Sequence, residues 1–325
     1  MLSCAVLPLV LVLAASVPAA PPTPIIFDTD MGNDIDDALA LAVIHALESR
    51  AEARLAAVTI TKDNRWSAPF TDLVNHFYHR PDIPVGVVRN GKTPEDAPYT
   101  RIPCERRMPD GKLLYPRNIQ DGSQAPEAAG LIKSVLEKQP DHSTVIVQVG
   151  FSTNLARLLD ISGAADLVRR KVKLLSVMAG QFPSGKPEYN VHIDIESARK
   201  LFSSWPTAIV FSGYEIGLSI LYPARAIEKD FRWAVNHPIV DAYRAYKPMP
   251  YDRPTWDLTA VLYALRPDGG YFSLSPPGTV ILDKEGRTTL QPSPNGLHRY
   301  LTVTPEQRAR TLEALIELSS QPRVR

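Results

Sequence analysis

The chain has 325 residues, 44% of them apolar and 22% charged, which provides for a sizeable core and excludes a disordered polyelectrolyte. Lys and Arg number 36 against 35 Asp and Glu, a net charge of +1, so no general field draws the chain to nucleic acid. Only Cys4 and Cys104 are present, which excludes a disulfide-built scaffold. Residues 4–17 are almost wholly apolar and lead through small residues at 14–20 to a Pro-Pro-Thr-Pro spacer. This pattern predicts a secretory signal peptide, residues 1–20, cleaved near Ala20 and too short to span a membrane, although no Lys or Arg precedes it. The expected product is secreted or periplasmic, keeps Cys104 alone and has no internal disulfide.

Residues 25–41, IIFDTDMGNDIDDALAL, join a short apolar strand to an apolar helix through five acids: Asp28, Asp30, Asp34, Asp36 and Asp37. Carboxylates so close repel one another unless a cation, arginines or water offset the charge. Gly32 lets the backbone turn so that they converge, and a hard, oxygen-seeking ion such as Ca2+ or Mg2+ is the economical partner. An EF-hand counted from Asp28 fails, because Asn33 stands where the loop needs Gly and Leu39 where it needs Glu. An aspartate-based phosphatase competes from Phe27 to Asp30, but Met31 and Gly32 stand where a small hydroxyl residue belongs. Neither glycine-rich nucleotide-phosphate loop, GxGxxG or GxxxxGK[ST], is present.

Beyond the helix from Asp36 to about Arg50, expected to bury Leu39, Ala42, Val43 and Leu47, the strand Leu55–Ile60 ends at Thr61, Lys62, Asp63 and Asn64. A polar cluster at the carboxyl end of such a strand is where α/β sheets bind ligands. A helix at 70–79 and a strand at 83–88 precede a Pro- and Gly-rich segment, 89–126, which reads as an active-site border or a surface excursion. His45, His76 and His79 show no metal-ligand grouping and read as surface or helix-side residues. A helix at 127–138 and strands at 144–149, 173–178 and 208–211 continue the alternation. Thr153 and Asn154 are expected to cap the helix after the 144–149 strand. Glu188 and Asn190, two apart in a stretch read as extended, would point the same way and suit two sugar hydroxyls. Trp256 and Asp257 head a helix, and Asp257 can close an ion site that local sequence cannot complete. The tail reads as a hairpin about Lys284–Gly286 and a helix from Pro305 with Leu312, Leu315 and Ile316 inward; His298 and Arg299 read as surface groups. The whole predicts one α/β domain over 21–325, an open, mostly parallel central sheet flanked by helices with a small C-terminal hairpin and final helix.

The DTDMG strand end followed by Asp36-Asp37-Ala38 resembles the signature of the inosine-uridine preferring nucleoside hydrolase family, with two more residues between Gly32 and Asp36 than the shortest family form. Resemblance continues in order at VQVGFSTNLARLL, PEYNVHIDIESARKLF and RPTWDLTAVLYAL. It implies a nucleoside-hydrolase-like fold and a Ca2+ ion held by Asp30, Asp37, the Val149 carbonyl and Asp257, with Asp30 as the base that takes a proton from water. It implies further that Asp36, Glu188 and Asn190 bind ribose. Asp63 lies where the family places a ribose-binding Asn, and Asn64 is its neighbour. The family's Gly-Asn before the Glu188 motif is replaced by Gly185-Lys186. Many members have His, a leaving-group acid, where this chain has Trp256, which could stack on a base or pack in the core; His237, Tyr243 and Tyr246 are alternative acids by chemistry alone. The expected partner is a small-molecule ribonucleoside, with no nucleic acid and no membrane span, and a homo-oligomer is left open. A secreted nucleoside- or sugar-binding protein and the phosphatase are the competing readings.

Overall fold

A computed structural model describes residues 21–323, so the expected signal peptide lies outside the described residues. Six parallel strands form the centre of the sheet: β1 (Thr23–Thr29), β2 (Ala53–Lys62), β3 (Val85–Lys92), β4 (Thr144–Gln148), β5 (Val172–Met178) and β6 (Ile209–Ser212). Two short strands, β7 (Leu221–Tyr222) and β8 (Arg253–Pro254), pair with each other apart from it. The tail supplies β9 (Ser273–Leu274), β10 (Gly278–Leu282), β11 (Thr288–Pro292) and β12 (His298–Thr302). The order is β11-β10-β12-β6-β5-β4-β1-β2-β3, with β9 on β12; β12 joins β6 in parallel, and β9, β10 and β11 pair antiparallel. The expected architecture, hairpin and final helix (Pro305–Ser319) are all present.

β1 lies between β4 and β2 and is covered on both faces, which is why Ile25, Ile26 and Phe27 are apolar without alternation and fully buried. The helix Asp36–Ser49 is buried nearly all round from Asp36 to Leu47, not along one stripe. The helices Trp256–Leu265 and Pro305–Ser319 pack on it, so it is an inner layer and needs no polar face. In the final helix, Leu315 and Leu318 are the fully inward leucines, whereas Leu312 and Ile316 are only half-buried.

Two histidines depart from expectation. His45 is buried, stacks on Tyr78 and meets Glu48 and Asn75 through its two ring nitrogens. His298 is buried in β12, where Nδ1 accepts the Val280 N–H; strand pairing with β10 turns it inward rather than to the surface. Among the described residues no helix is long and apolar enough to cross a membrane.

Candidate active site

The carboxyl ends of β1, β4 and β5 deliver the site. After Thr29 the chain turns at Gly32, whose φ of 121° favours glycine, and enters the helix at Asp36. The Tyr99 hydroxyl holds the turn by accepting the Gly32 N–H and donating to the Asp34 carbonyl. Gly150 lets β4 approach: a Cβ there would stand 2.5 Å from the Asp30 nitrogen. Within segment 89–126, the helix Pro98–Glu105 thus carries Tyr99 to this turn.

Asp30 accepts from Asn33 Nδ2 at 2.7 Å, and Asn33 Oδ1 in turn accepts from Lys62 at 3.0 Å. Asp37 accepts from the Thr29 hydroxyl through Oδ1, while its Oδ2 is buried without a hydrogen-bond partner. Asp36 receives the Asp257 N–H at 3.3 Å, which ties the two helix starts together. The Val149 carbonyl accepts from Asn190 Nδ2 at 2.7 Å. Glu188 caps the helix Tyr189–Ile193 by accepting the N–H groups of Asn190 and Val191, and it also accepts from Gly180. The expected extended stretch is thus a cap and first helical turn; Glu188 and Asn190 reach the same cavity because the cap bends the chain.

Asp30, Asp36, Val149, Glu188, Asn190, Trp256 and Asp257 line one inner cavity of about 70 Å³, together with Asp34, Met178, Tyr189 and Tyr214. Burial, then the charges of Asp34 and Asp36, raises Asp30 to about 7 against the opposing hydrogen bond of Asn33. Burial lifts Asp36 to about 6 although Arg253 opposes it, and burial raises Glu188 to about 7. Asp37 and Asp257 are driven well up by burial and then by neighbouring carboxylates. Such a set suits a hard cation: the donors are oxygens, Asp37 Oδ2 has no partner, and the acids raise one another's proton affinity. Among the described residues, however, no group of three or more His, Cys, Asp or Glu side chains is gathered as a finished cage for a metal ion.

Asp63 and Asn64 do not line this cavity. Asp63 accepts the Gly91 N–H, and Asn64 bonds Pro94, Asp96 and Trp66, so both are committed to the loops after β2 and β3. Thr153 and Asn154 do not cap their helix; Thr153 donates to Asp194 and Asn154 to Asp28. Trp256 lines the cavity, but Tyr214 stacks on it at 5.4 Å and the Arg253 guanidinium lies over the same indole at 5.0 Å. His237 is buried among Phe77, Phe231 and Trp233 and lines a different groove. Tyr243 is fully buried with an unpartnered hydroxyl, and Tyr246 donates to Asp34 at 2.8 Å.

Sequence reasoning missed Arg253. It is 8% exposed, 2.7 Å from Asp34 Oδ2 and 3.5 Å from Asp36 Oδ1, and lies over the rings of Tyr246 and Trp256. The available signal was an Arg four residues before Asp257, beside an acidic excess that needed cations.

Comparison with known proteins bears on this geometry. Solved structures with the same fold include a plant nucleoside hydrolase, 21% identical with a TM-score of 0.66 over 93% of this chain and 100% of that one. An inosine-uridine preferring nucleoside hydrolase from Bacillus anthracis is 16% identical, with a TM-score of 0.69 over 92% and 99% of the two chains. A purine-preferring ribonucleoside hydrolase from Gardnerella vaginalis is 18% identical, with a TM-score of 0.69 over 91% and 98%. Comparison with curated proteins gave no match. The family described as inosine-uridine preferring nucleoside hydrolase matches residues 25–318, from the first strand to the last helix and across every segment that lines the cavity. By that match, the chain belongs to the inosine-uridine preferring nucleoside hydrolase family.

Proposed function

We propose that this protein hydrolyses the N-glycosidic bond of a ribonucleoside, giving ribose and a free base, with Ca2+ as its metal. The observation that carries the reading is the convergence of Asp30, Asp36, Val149, Glu188, Asn190 and Asp257 from distant segments on one cavity. Asp30, Asp37, Asp257 and the Val149 carbonyl would hold the ion, which when bound supplies Lewis acidity that makes water easier to deprotonate.

The chain's own residues do the rest. Asp30, oriented by Asn33 on the cavity wall, accepts the proton of the attacking water. Glu188 and Asp36 offer acceptor oxygens to ribose hydroxyls, while Asn190 fixes the Val149 carbonyl. As the glycosidic bond lengthens, the sugar acquires oxocarbenium character, and buried carboxylates around it stabilise that charge.

The test is a reducing-sugar assay with calcium across purine and pyrimidine nucleosides and p-nitrophenyl riboside, with Asp30→Asn as control. Release of ribose that falls about 100-fold or more in Asp30→Asn is expected for loss of a general base. Nucleoside binding by calorimetry without turnover of any compound would overturn the hydrolase reading in favour of a binding protein.

A further inference from the structure

Lys62 is a buried cation to which neither the ion nor the sugar gives a role. It closes β2 and pairs with Lys92 of β3 beyond a break in register. The residue is only 3% exposed, and its stem lies so close to the turn after β1 that a Cβ on Gly32 would stand 2.6 Å from Lys62 Cδ. Burial lowers its proton affinity, while the charges of Glu95, Asp30, Asp96 and Asp37 favour the ammonium. Yet the ammonium directs its hydrogen bonds to two neutral oxygens. It donates to Asn33 Oδ1 at 3.0 Å and to the Thr93 carbonyl at 2.6 Å. Thr93 has a φ of 53°, a left-handed conformation that β-branched residues seldom adopt, so the backbone is strained at the residue that anchors the ammonium.

The other partner, Asn33, touches the proposed base. It lies in the stretch between Gly32 and Asp36 that is two residues longer than the shortest family form, and its Nδ2 donates to Asp30 Oδ2 at 2.7 Å. An asparagine amide can exchange its donor and acceptor ends by a half-turn with little change of shape. In the exchanged orientation Nδ2 would face an ammonium that cannot accept, and Oδ1 would face the Asp30 carboxylate, acceptor against acceptor. Thr93 Oγ1, 3.4 Å from Nδ2, can donate or accept and so favours neither orientation. Once Asp30 has taken a proton it could donate to either end of the amide, and Lys62 is then the group that still discriminates. With Asn33 so held, Asp30 Oδ2 is occupied and Oδ1 is left to receive the proton of water.

Resting on the nucleoside-hydrolase reading, we propose that Lys62 is a positioning residue, which acts through Asn33 to fix the Asp30 carboxylate for proton transfer. Without the ammonium the amide turns, Asp30 loses its donor, and the carboxylate rotates away from the water. The loss falls on the chemical step rather than on substrate binding.

The test measures kcat and KM for inosine, uridine and p-nitrophenyl riboside on the calcium-loaded full protein, in Lys62→Met, Asn33→Ala and the double variant. Each single change should lower kcat about tenfold, the worth of one hydrogen bond to a charged group, with KM within about twofold of the parent. The double variant should be no slower than Asn33→Ala, because Lys62 acts through that side chain. Lys62→Gln keeps a donor at shorter reach and should recover part of the loss; it also replaces Lys62→Met if that variant does not fold. A second readout needs neither calcium nor turnover. In the calcium-free protein the Asn33 side-chain amide protons, identified by NMR through their absence in Asn33→Ala, should include one held downfield by the carboxylate. In Lys62→Met, or in Lys62→Gln to a lesser degree, that proton should move upfield and exchange about tenfold faster. Losses that multiply in the double variant overturn the inference, since Lys62 would then act independently by holding the Thr93 loop. An undiminished kcat in Lys62→Met, or an unchanged Asn33 amide signal, overturns it as well and leaves the hydrolase reading standing. No turnover by the parent overturns the hydrolase reading, and the amide signal then decides the link from Lys62 to Asp30 alone.

Discussion

Arg253→Met probes the charge balance beneath the site. The guanidinium is 8% exposed, binds Asp34 at 2.7 Å, faces Asp36 at 3.5 Å and lies over Trp256 and Tyr246. Removing one partner of a buried ion pair costs about 3–5 kcal/mol, chiefly because the other charge is stranded. Asp34 is 44% exposed, so water recovers much of its share, whereas Asp36 has no such recourse. Loss of the cation–π contacts adds about 1 kcal/mol, partly offset by methionine packing on the same rings. A net loss of about 3 kcal/mol follows, read by urea unfolding at fixed calcium with an unchanged m-value. Since Asp36 is the stranded group, Asp36→Asn should cost less in the Arg253→Met background than in the parent, with a coupling of about 1–3 kcal/mol in a double-mutant cycle. Stability within about 0.5 kcal/mol of the parent, or strictly additive single changes, would refute the assignment of Arg253 as the counter-charge of Asp36.

Calcium should stabilise increasingly as pH rises. Asp30 and Asp36 are raised to about 7 and about 6, so in the metal-free protein their contribution to stability is full below the unfolded value of 3.8 and lost as pH climbs through 6 to 7. His237 and His298, lowered by burial to about 3 and about 4, act oppositely: their contribution is full above 6.5 and lost as pH falls below it, with or without calcium. The readout is therefore the Tm difference between calcium and chelator, expected to widen from pH 5.5 to 8; a constant or zero difference would sink the ion site. Tyr99→Phe strands the Gly32 N–H and the Asp34 carbonyl and should cost about 2 kcal/mol while weakening calcium binding, checked by urea unfolding and calorimetry. We also propose export with cleavage near Ala20; mass spectrometry of the natively produced soluble chain settles it, and an intact Met1–Ala20 segment refutes it.

The order of elements was legible because its signals are local. Apolar runs of strand length, Pro and Gly punctuation and the shift from strand to helix period mark β1, β2, β4, β5, β6 and the hairpin within a residue or two, whereas β3 runs four residues past its expected end, to Lys92. What failed were inferences about faces. The helix Asp36–Ser49 reads as amphipathic only if nothing covers its outer side, and the helices that cover it come more than 200 residues later. His45 and His298 look superficial for the same reason: their burial comes from partners at Asn75 and Val280, which no window around them contains. Glu188 and Asn190 were placed in the right cavity by the wrong geometry, since a carboxylate ahead of two free N–H groups caps a turn as readily as it extends a strand.

The acidic cluster shows most clearly what one sequence can and cannot convey. Five carboxylates in ten positions imply compensation, but the reading by electrostatics alone assigned the set to one ion, whereas the fold divides it. Asp28 points away from the cavity and is met by Thr59 at 2.6 Å and Asn154 at 2.8 Å. Asp34 and Asp36 face Arg253, which local sequence cannot connect to them because it arrives from more than 200 residues downstream. Hydrogen bonds from Asn33 and Thr29 reach Asp30 and Asp37 on one oxygen each, and no cationic side chain forms an ion pair with Asp30, Asp37 or Asp257 among the described residues. These three are the carboxylates whose charge most needs a metal, and they are the three that the resemblance assigns to calcium. Arg253 thereby sharpens the calcium proposal: by answering Asp34 and Asp36, it leaves a ligand set of three acids and one carbonyl, hard donors that a single divalent cation can satisfy.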